Sequence, residues 1–171
     1  MGRYRPPAPP KAPYITAEGM ASLQTEQTAL WKRRQIVTKA ITAAAAEGDR
    51  SENAEYIYRK KELREIDYRI RYLQKRLPYL RVVDTIPGNT DQIFFGAWVT
   101  LETEDGTTLR YRIVGPDEFD CDKEYISMDS PMAKSLMKKS VDDEITVETP
   151  AGEKKYYVLK VEYTIESIDQ E

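Results

Sequence analysis

Two long segments of the chain carry apolar residues at heptad spacing. The second segment is regular, and its apolar positions alternate by three and four residues: Leu63, Ile66, Ile70, Leu73, Leu77 and Leu80. The first has one continuous row, Leu23, Leu30, Val37 and Ala44, beside a second row in which Gln27 and Arg34 interrupt Met20 and Ile41. Seams of this kind predict two helices that pack against each other as a coiled coil.

A short turn joins the two helical segments. Residues 48–56, GDRSENAEY, contain a glycine and lie between the two seams, which predicts an antiparallel coiled-coil hairpin over residues 14–83. The second helix is expected from about residue 51 to residue 80, a length of ~45 Å at 1.5 Å per residue. Pro78 should kink or end it near Leu77, because proline lacks the N–H and clashes with the preceding turn.

The period changes to that of strands after residue 89. Residues 94–101, 109–114 and 156–161 are β-branched or aromatic, with shorter candidates at 125–127 and 145–147. Thr103 to Thr107 reads as a hairpin turn. Ser130 followed by Pro131 predicts a helix start, with serine as N-cap and proline at the first helical position. Residues 84–171 are therefore expected to form a compact α+β domain.

The ends of the hairpin have their own signals. Residues 1–13 are proline-rich and basic, which predicts a disordered or polyproline-like arm. Thr16 offers an N-cap for the first helix, and Gly19 is a weak point in its first turn.

Composition excludes several kinds of chemistry. The 171 residues include no histidine, and Cys121 is the only cysteine. Disulfide frameworks, zinc sites of the usual Cys/His kind and histidine-based nucleophilic catalysis are therefore excluded. The N-terminus lacks the apolar core of a signal peptide, and no run approaches the ~18 apolar residues of a membrane span. The expected location is the cytoplasm.

Charge is unevenly distributed along the chain. Residues 1–83 hold 17 Lys/Arg against 9 Asp/Glu, whereas residues 84–171 hold 9 against 20. An asymmetry of this size indicates that the first half approaches nucleic acid. The alternative is two domains with unrelated surface charge.

Asp49 and Glu52 stand three residues apart at the start of the second helix. Asp-x-x-Glu fits a capping arrangement, with Asp49 as N-cap and Glu52 at the third helical position. The functional alternative is a shared cation site. Two carboxylates are too few for Mg²⁺, which takes six oxygen ligands and keeps several waters, so a partner would supply the rest. Such a composite site would suit phosphodiester hydrolysis.

Basic residues follow one face of the second helix, roughly opposite the leucine seam: Lys60, Arg64, Arg71 and Lys75. A phosphate-contacting stripe is one interpretation, and a solvated coiled-coil surface is the other, favoured by Asp67 on the same face. The neighbouring tyrosines 56, 58, 68 and 72 could stack on bases, but tyrosines beside a leucine seam more often pack.

Several long motifs together resemble one family. GDRSENAEY, KKELREIDYRIRYLQKR, IFFGAWVTLE, YRIVG, YISMDSPMAKSLMKK and ETPAGE are similar to the bacterial GreA/GreB transcript cleavage factors over about residues 14–163. The basic helix and the DSPMA segment favour the GreB branch of that family.

The resemblance implies a coiled coil that enters the secondary channel of RNA polymerase, and an FKBP-like C-terminal domain that docks at the channel rim. It implies that Asp49 and Glu52 help hold the second catalytic Mg²⁺ jointly with polymerase, so that the factor stimulates cleavage of backtracked RNA without being an enzyme itself. It assigns docking to Asp129, Ser130, Pro131, Met132 and Ala133, and contact with the nascent RNA 3′ end to the basic residues. We expect a monomer that binds no Mg²⁺ tightly alone.

Three features depart from the family pattern: the arm at residues 1–13, the tail after Tyr163, and Asp142 where the family has glycine. If that turn needs a positive φ, Asp142 bears a modest strain. Two rival functions remain open. One is a channel-binding inhibitor of polymerase without cleavage activity, and the other is a prolyl isomerase or chaperone built on the FKBP-like half.

Overall fold

The computed structural model describes residues 6–48 and 53–164. Its contacts divide the chain into two units, Met20–Leu80 and a second unit made of Met1–Gly19 with Arg81–Glu171. These bounds differ from the expected 14–83 and 84–171. The segments before α1 and after α2 pair with each other: β1, Tyr14–Ile15, runs parallel to β2, Arg81–Val82, as a separate two-stranded sheet.

The helical unit is an antiparallel hairpin, as the seams predict. Helix α1 spans Ala17–Ala46 and α2 spans Ala54–Arg76. Glu26, early in α1, pairs with Arg69, late in α2, whereas Arg33 and Arg34 near the middle of α1 pair with Glu62 and Asp67 nearer the middle of α2. Val37, Ile66 and Ile70 form the buried centre, with Leu30, Ile41 and Leu63 packed half-buried around it.

One of these ion pairs perturbs a carboxyl group. Partial burial raises the pKa of Glu62, but hydrogen bonds from Arg33 and Arg59 lower it by more, so the net pKa lies below the ordinary value of 4.5. The carboxylate accepts from Arg33 Nε at 2.7 Å and from Arg59 Nη1 at 3.0 Å. Glu62 therefore ties α2 to α1 in its ionised form.

The ends of α2 differ in part from expectation. Pro78 ends the helix as predicted, because a 3₁₀ turn over Leu77–Tyr79 follows Arg76. The start was predicted about three residues too early, since α2 begins at Ala54. At 1.5 Å per residue, the 30 residues of α1 span about 45 Å and the 23 residues of α2 about 35 Å.

The second unit contains a five-stranded sheet in the order β5-β4-β3-β7-β6. The strands are β3 Trp98–Thr103, β4 Thr108–Val114, β5 Tyr125–Ser127, β6 Glu144–Thr149 and β7 Gly152–Glu162. All neighbours are antiparallel except β4 and β5. The hairpin turn between Thr103 and Thr107 is confirmed by the bond from Thr103 N to Thr107 O.

Helix α3, Pro131–Leu136, begins as predicted, with Ser130 as N-cap and Pro131 in the first turn. Its buried residues Ala133 and Leu136 join an apolar core that includes Val99, Leu101 and Val158. The helix and the sheet together confirm the α+β class of this domain.

A buried carboxylate fixes the start of α1 to the sheet unit. Thr16 is the N-cap, since its Oγ1 accepts from Gly19 N at 3.0 Å. Glu118, only 2% exposed, accepts from the backbone N–H groups of Thr16 at 2.8 Å and Gly115 at 3.1 Å. A Cβ at Gly19 would lie 2.6 Å from the Glu118 carboxylate, so the glycine is required by this close approach rather than being only a weak point.

Asp142 has a φ of 71°, in the left-handed region that favours glycine. The turn therefore has the positive φ under which Asp142 bears a modest strain. Separately, no helix in the described parts of the chain is long and apolar enough to cross a membrane.

Candidate functional site

The turn of the hairpin is closed by Asn53. Its Oδ1 accepts from Tyr56 N at 3.1 Å, which makes it the N-cap of α2. Its Nδ2 donates to the carbonyl of Ala44, in the last turn of α1, at 3.0 Å. Gly48, two residues after the end of α1, has a φ of 136°, a backbone conformation that residues with a side chain rarely adopt. One asparagine thus caps one helix and ties it to the other.

This cap answers one question that the sequence left open. The capping arrangement required Asp49 as N-cap and Glu52 at the third helical position, but the helix begins at Ala54 with Asn53 as its cap. That interpretation of the two acids is therefore wrong. Asp49 and Glu52 themselves lie outside the described residues. Helix α1 ends at Ala46 and α2 begins at Ala54, with Asn53 as its N-cap.

The other acid of the turn already has a partner. Glu55, in the first turn of α2, accepts from Arg59 Nε at 2.8 Å, and this bond raises the pKa of the guanidinium. Within residues 6–48 and 53–164, no group of three or more acidic or cysteine side chains is placed to hold a metal ion.

The basic face of α2 is exposed and available. All four of its cations are exposed, and within the described residues none of the four makes an ion pair: Lys60, Arg64, Arg71 and Lys75. The arginines nearer the seam are different, because Arg33, Arg34, Arg59 and Arg69 are all bound to carboxylates. The helix thus separates cations that hold the hairpin together from cations that face solvent.

The negative charge that weakened this pattern is accounted for. Asp67 accepts from Arg34 Nε at 2.7 Å, so its charge is balanced from across the seam. Asp67 lies three residues after Arg64 and four before Arg71, which places it beside both on the helix surface. The basic face therefore keeps its positive character along its length.

Aromatic side chains lie on or beside the same surface. Tyr68 is 74% exposed and Tyr58 is 61% exposed, so the expectation that the tyrosines pack against the seam fails for these two. Trp31 of α1, 43% exposed, lies against Arg34, whose Cζ is 5.9 Å from its ring. Arg34 in turn binds Asp67 on α2. Exposed rings beside unpaired cations suit single-stranded nucleic acid.

The predicted docking residues lie between β5 and α3. Pro131 is exposed, while Asp129, Ser130 and Met132 are half-buried. Ser130 Oγ accepts from Ala133 N at 3.2 Å, and the Ala133 side chain is fully buried in the core. Met132 also packs against that core. The surface of this segment is therefore made by Asp129, Ser130 and Pro131, because the other two side chains hold the helix in place.

Two contacts at these sites were not expected from the sequence. Asn53 could have been found, since asparagine is a preferred N-cap and Glu55 in the first turn supports a helix start there. The bond from Ala12 N to Asp129 Oδ2, 2.9 Å, had no signal. It joins a backbone amide to a side chain 117 positions away.

Comparison with known proteins agrees with the resemblance noted in the motifs. Residues 13–82 match the family described as "Transcription elongation factor, N-terminal", and residues 88–163 match "Transcription elongation factor, GreA/GreB, C-term". The chain is 57% identical over 164 residues to the transcription elongation factor GreB of Pseudomonas aeruginosa, covering 95% of this chain and 98% of that protein. The GreB of Xanthomonas axonopodis pv. citri is 56% identical over 165 residues, with the same coverage.

Among solved structures, GreA factor homolog 1 (Gfh1) of Thermus thermophilus is 26% identical and covers 87% of this chain and 97% of its own, with a TM-score of 0.40. The two family models cover residues 13–82 and 88–163, and both GreB relatives are more than 50% identical over 95% of the chain. The chain belongs to the GreA/GreB family of transcription elongation factors.

Proposed function

We propose that this protein enters the secondary channel of RNA polymerase and stimulates the polymerase's own cleavage of backtracked nascent RNA. Action together with RNA polymerase follows from the family, whose members are transcription elongation factors. The catalyst in this proposal is polymerase, and the protein works beside it in the cytoplasm. The alternatives, an inhibitor without cleavage activity and a prolyl isomerase, are not favoured, because the relatives are named transcription elongation factor GreB.

The observation that carries the proposal is the cap at the turn of the hairpin. Asn53 caps α2 and binds the Ala44 carbonyl, so an uncharged side chain makes both of these contacts and neither Asp49 nor Glu52 is the N-cap. Two carboxylates that are not needed as the N-cap of α2, in a segment between helices of about 45 and 35 Å, are well suited to act on another molecule.

The donor set fits a shared Mg²⁺ and does not fit a private one. Carboxylate oxygens are the ligands that Mg²⁺ prefers, but two side chains fall short of its six positions. We propose that Asp49 and Glu52 are the ligands that this protein contributes to the ion, and that polymerase supplies the others. Mg²⁺ held there would supply Lewis-acid activation of water for phosphodiester hydrolysis. The task of the two carboxylates is to retain the ion and orient the water.

The basic face of α2 serves as the RNA contact in this proposal. Its four cations make no ion pair within the described residues, so they can bind phosphates without first losing a carboxylate partner. RNA extruded by backtracking is single-stranded, and Tyr68 and Trp31 offer rings for its bases. Asp129, Ser130 and Pro131 are proposed to hold the sheet domain at the channel rim, with one copy of the protein per polymerase.

A transcript cleavage assay on a stalled complex tests the function. Polymerase is walked to a defined position, allowed to backtrack, and freed of nucleotides before the purified protein is added. We expect rapid internal cleavage that releases a 3′-terminal fragment and leaves an extendable RNA, with no cleavage by the protein alone. Slower cleavage or slower elongation on adding the protein would support the inhibitor instead, and intact RNA at the intrinsic rate would reject the proposal.

A further inference from the structure

The end of the proline-rich arm lies on the proposed docking segment. The backbone N–H of Ala12 donates to Oδ2 of Asp129 at 2.9 Å, and this contact is partly buried. Neither the family's function nor the fold of the hairpin requires it. The neighbouring Lys11 lies near a second acid, with its Nζ 4.0 Å from Oδ1 of Asp117.

The donor is held in place from its C-terminal side. The Pro13 carbonyl accepts from Arg81 N at 2.7 Å, and the Ile15 carbonyl accepts from Val83 N at 2.9 Å. These bonds extend the pairing of β1 with β2 to the residue that follows Ala12. The amide is therefore carried by a fixed stretch of backbone, although residues 6–13 form neither helix nor strand.

The acceptor is fixed as well. Asp129 N donates to Ser127 Oγ at 3.1 Å, which holds the backbone of the segment, and the Ala12 amide then holds its side chain. An N–H bound to a carboxylate is charge-assisted and stronger than a bond between neutral groups. Within the described residues, no hydrogen bond reaches Oδ1 of Asp129, so one oxygen is left for a donor on a partner.

We propose that the Ala12 amide is a positioning group for the docking carboxylate, and that this part of the arm belongs to the polymerase-docking surface. The inference rests on the proposed docking role of Asp129. A carboxylate already held in one rotamer loses less conformational freedom when polymerase binds, which strengthens binding without a new contact to the partner.

Substitution by proline tests this, because proline removes the amide hydrogen and keeps the carbonyl. Binding of the full chain to core RNA polymerase is measured for Ala12→Pro, for Ala12→Ser, which keeps the N–H, and for Asp129→Ala. We expect Ala12→Pro to weaken binding about tenfold, Ala12→Ser to bind like wild type, and all three to unfold at nearly the wild-type temperature.

The double variant separates positioning from a merely structural role. If Ala12 acts through Asp129, adding Ala12→Pro to Asp129→Ala changes affinity no further. Additive losses, or wild-type affinity of Ala12→Pro beside a weakened Asp129→Ala, would overturn the inference while leaving the docking proposal intact. Wild-type affinity of Asp129→Ala would remove the docking role and the inference together.

A second measurement serves if the proline variant fails to fold. In the free wild-type protein, hydrogen exchange at the Ala12 amide should be slowed, and Asp129→Ala should speed it by at least about tenfold. Equal exchange in the two proteins would overturn the inference without any use of the proline variant.

Discussion

Asn53→Ala is the substitution that tests the architecture of the turn. It removes two hydrogen bonds at once, the one that caps α2 at Tyr56 N and the one that reaches the Ala44 carbonyl in α1. Loss of an N-cap asparagine costs about 1 kcal/mol, and loss of a partly buried side-chain hydrogen bond costs about 1 kcal/mol more. We therefore expect the full chain to lose about 2 kcal/mol of unfolding free energy.

The assay is unfolding in urea, followed by helical circular dichroism. A loss of about 2 kcal/mol lowers the folding equilibrium constant roughly thirtyfold. Asn53→Asp is the matched control, because aspartate caps as well as asparagine but cannot donate to the Ala44 carbonyl. It should lose about half as much. Asp49→Asn and Glu52→Gln should lose almost nothing, since neither residue caps α2.

The reverse pattern would refute the reasoning. If Asp49→Ala destabilised the chain as much as Asn53→Ala, the acid would be helping to close the turn. Its proposed freedom to serve another molecule would then be unsupported.

Other predictions concern the basic face, the seam, the β6–β7 region and the free protein. Changing the four basic-face cations, Lys60, Arg64, Arg71 and Lys75, to glutamine should lower cleavage of long backtracked RNA and flatten its salt dependence. The same change at Lys32 and Lys39 on α1 should do neither. The pKa of Glu62 is lowered in the folded chain, so the ionised side chain stabilises the fold fully above the unfolded pKa near 4.5, and this stabilisation is lost as the pH falls through the lower folded pKa. Glu62→Gln should therefore flatten the fall in melting temperature over that acidic range. A melting-temperature profile unchanged from wild type would contradict this. Asp142→Gly should raise stability by up to about 1 kcal/mol, because the φ of 71° strains a side chain; a destabilised variant would contradict this. Calorimetry should detect no micromolar Mg²⁺ binding by the protein alone, and tight binding would contradict a shared site.

The seams and the strand periods predicted most of the fold because burial follows a simple spacing. Leu73 and Val37 are fully buried where the heptads place them, and Pro78 ends α2 where its chemistry requires. The start of α2 was predicted too early because Asp49 and Asn53 are equally good caps by type. The bonds of Asn53 to Tyr56 N and to the Ala44 carbonyl identify it as the cap.

The candidate site was harder to read, since its decisive features are pairings between distant residues. The sequence placed Asp67 on the basic face but could not show that Arg34 of the other helix balances it. It included Ala133 among the docking residues, where the fold buries that side chain. The contact of Ala12 with Asp129 involves a main-chain donor, which has no signature in the residue type.

The measurement that tests the central claim most directly is transcript cleavage by the Asp49→Asn, Glu52→Gln double variant. Both substitutions remove charge and keep size and hydrogen-bonding capacity. We predict that the variant folds, binds polymerase with near wild-type affinity and loses most stimulation of cleavage in a stalled complex, with raised Mg²⁺ restoring part of it. Wild-type cleavage rates in that variant would contradict the account.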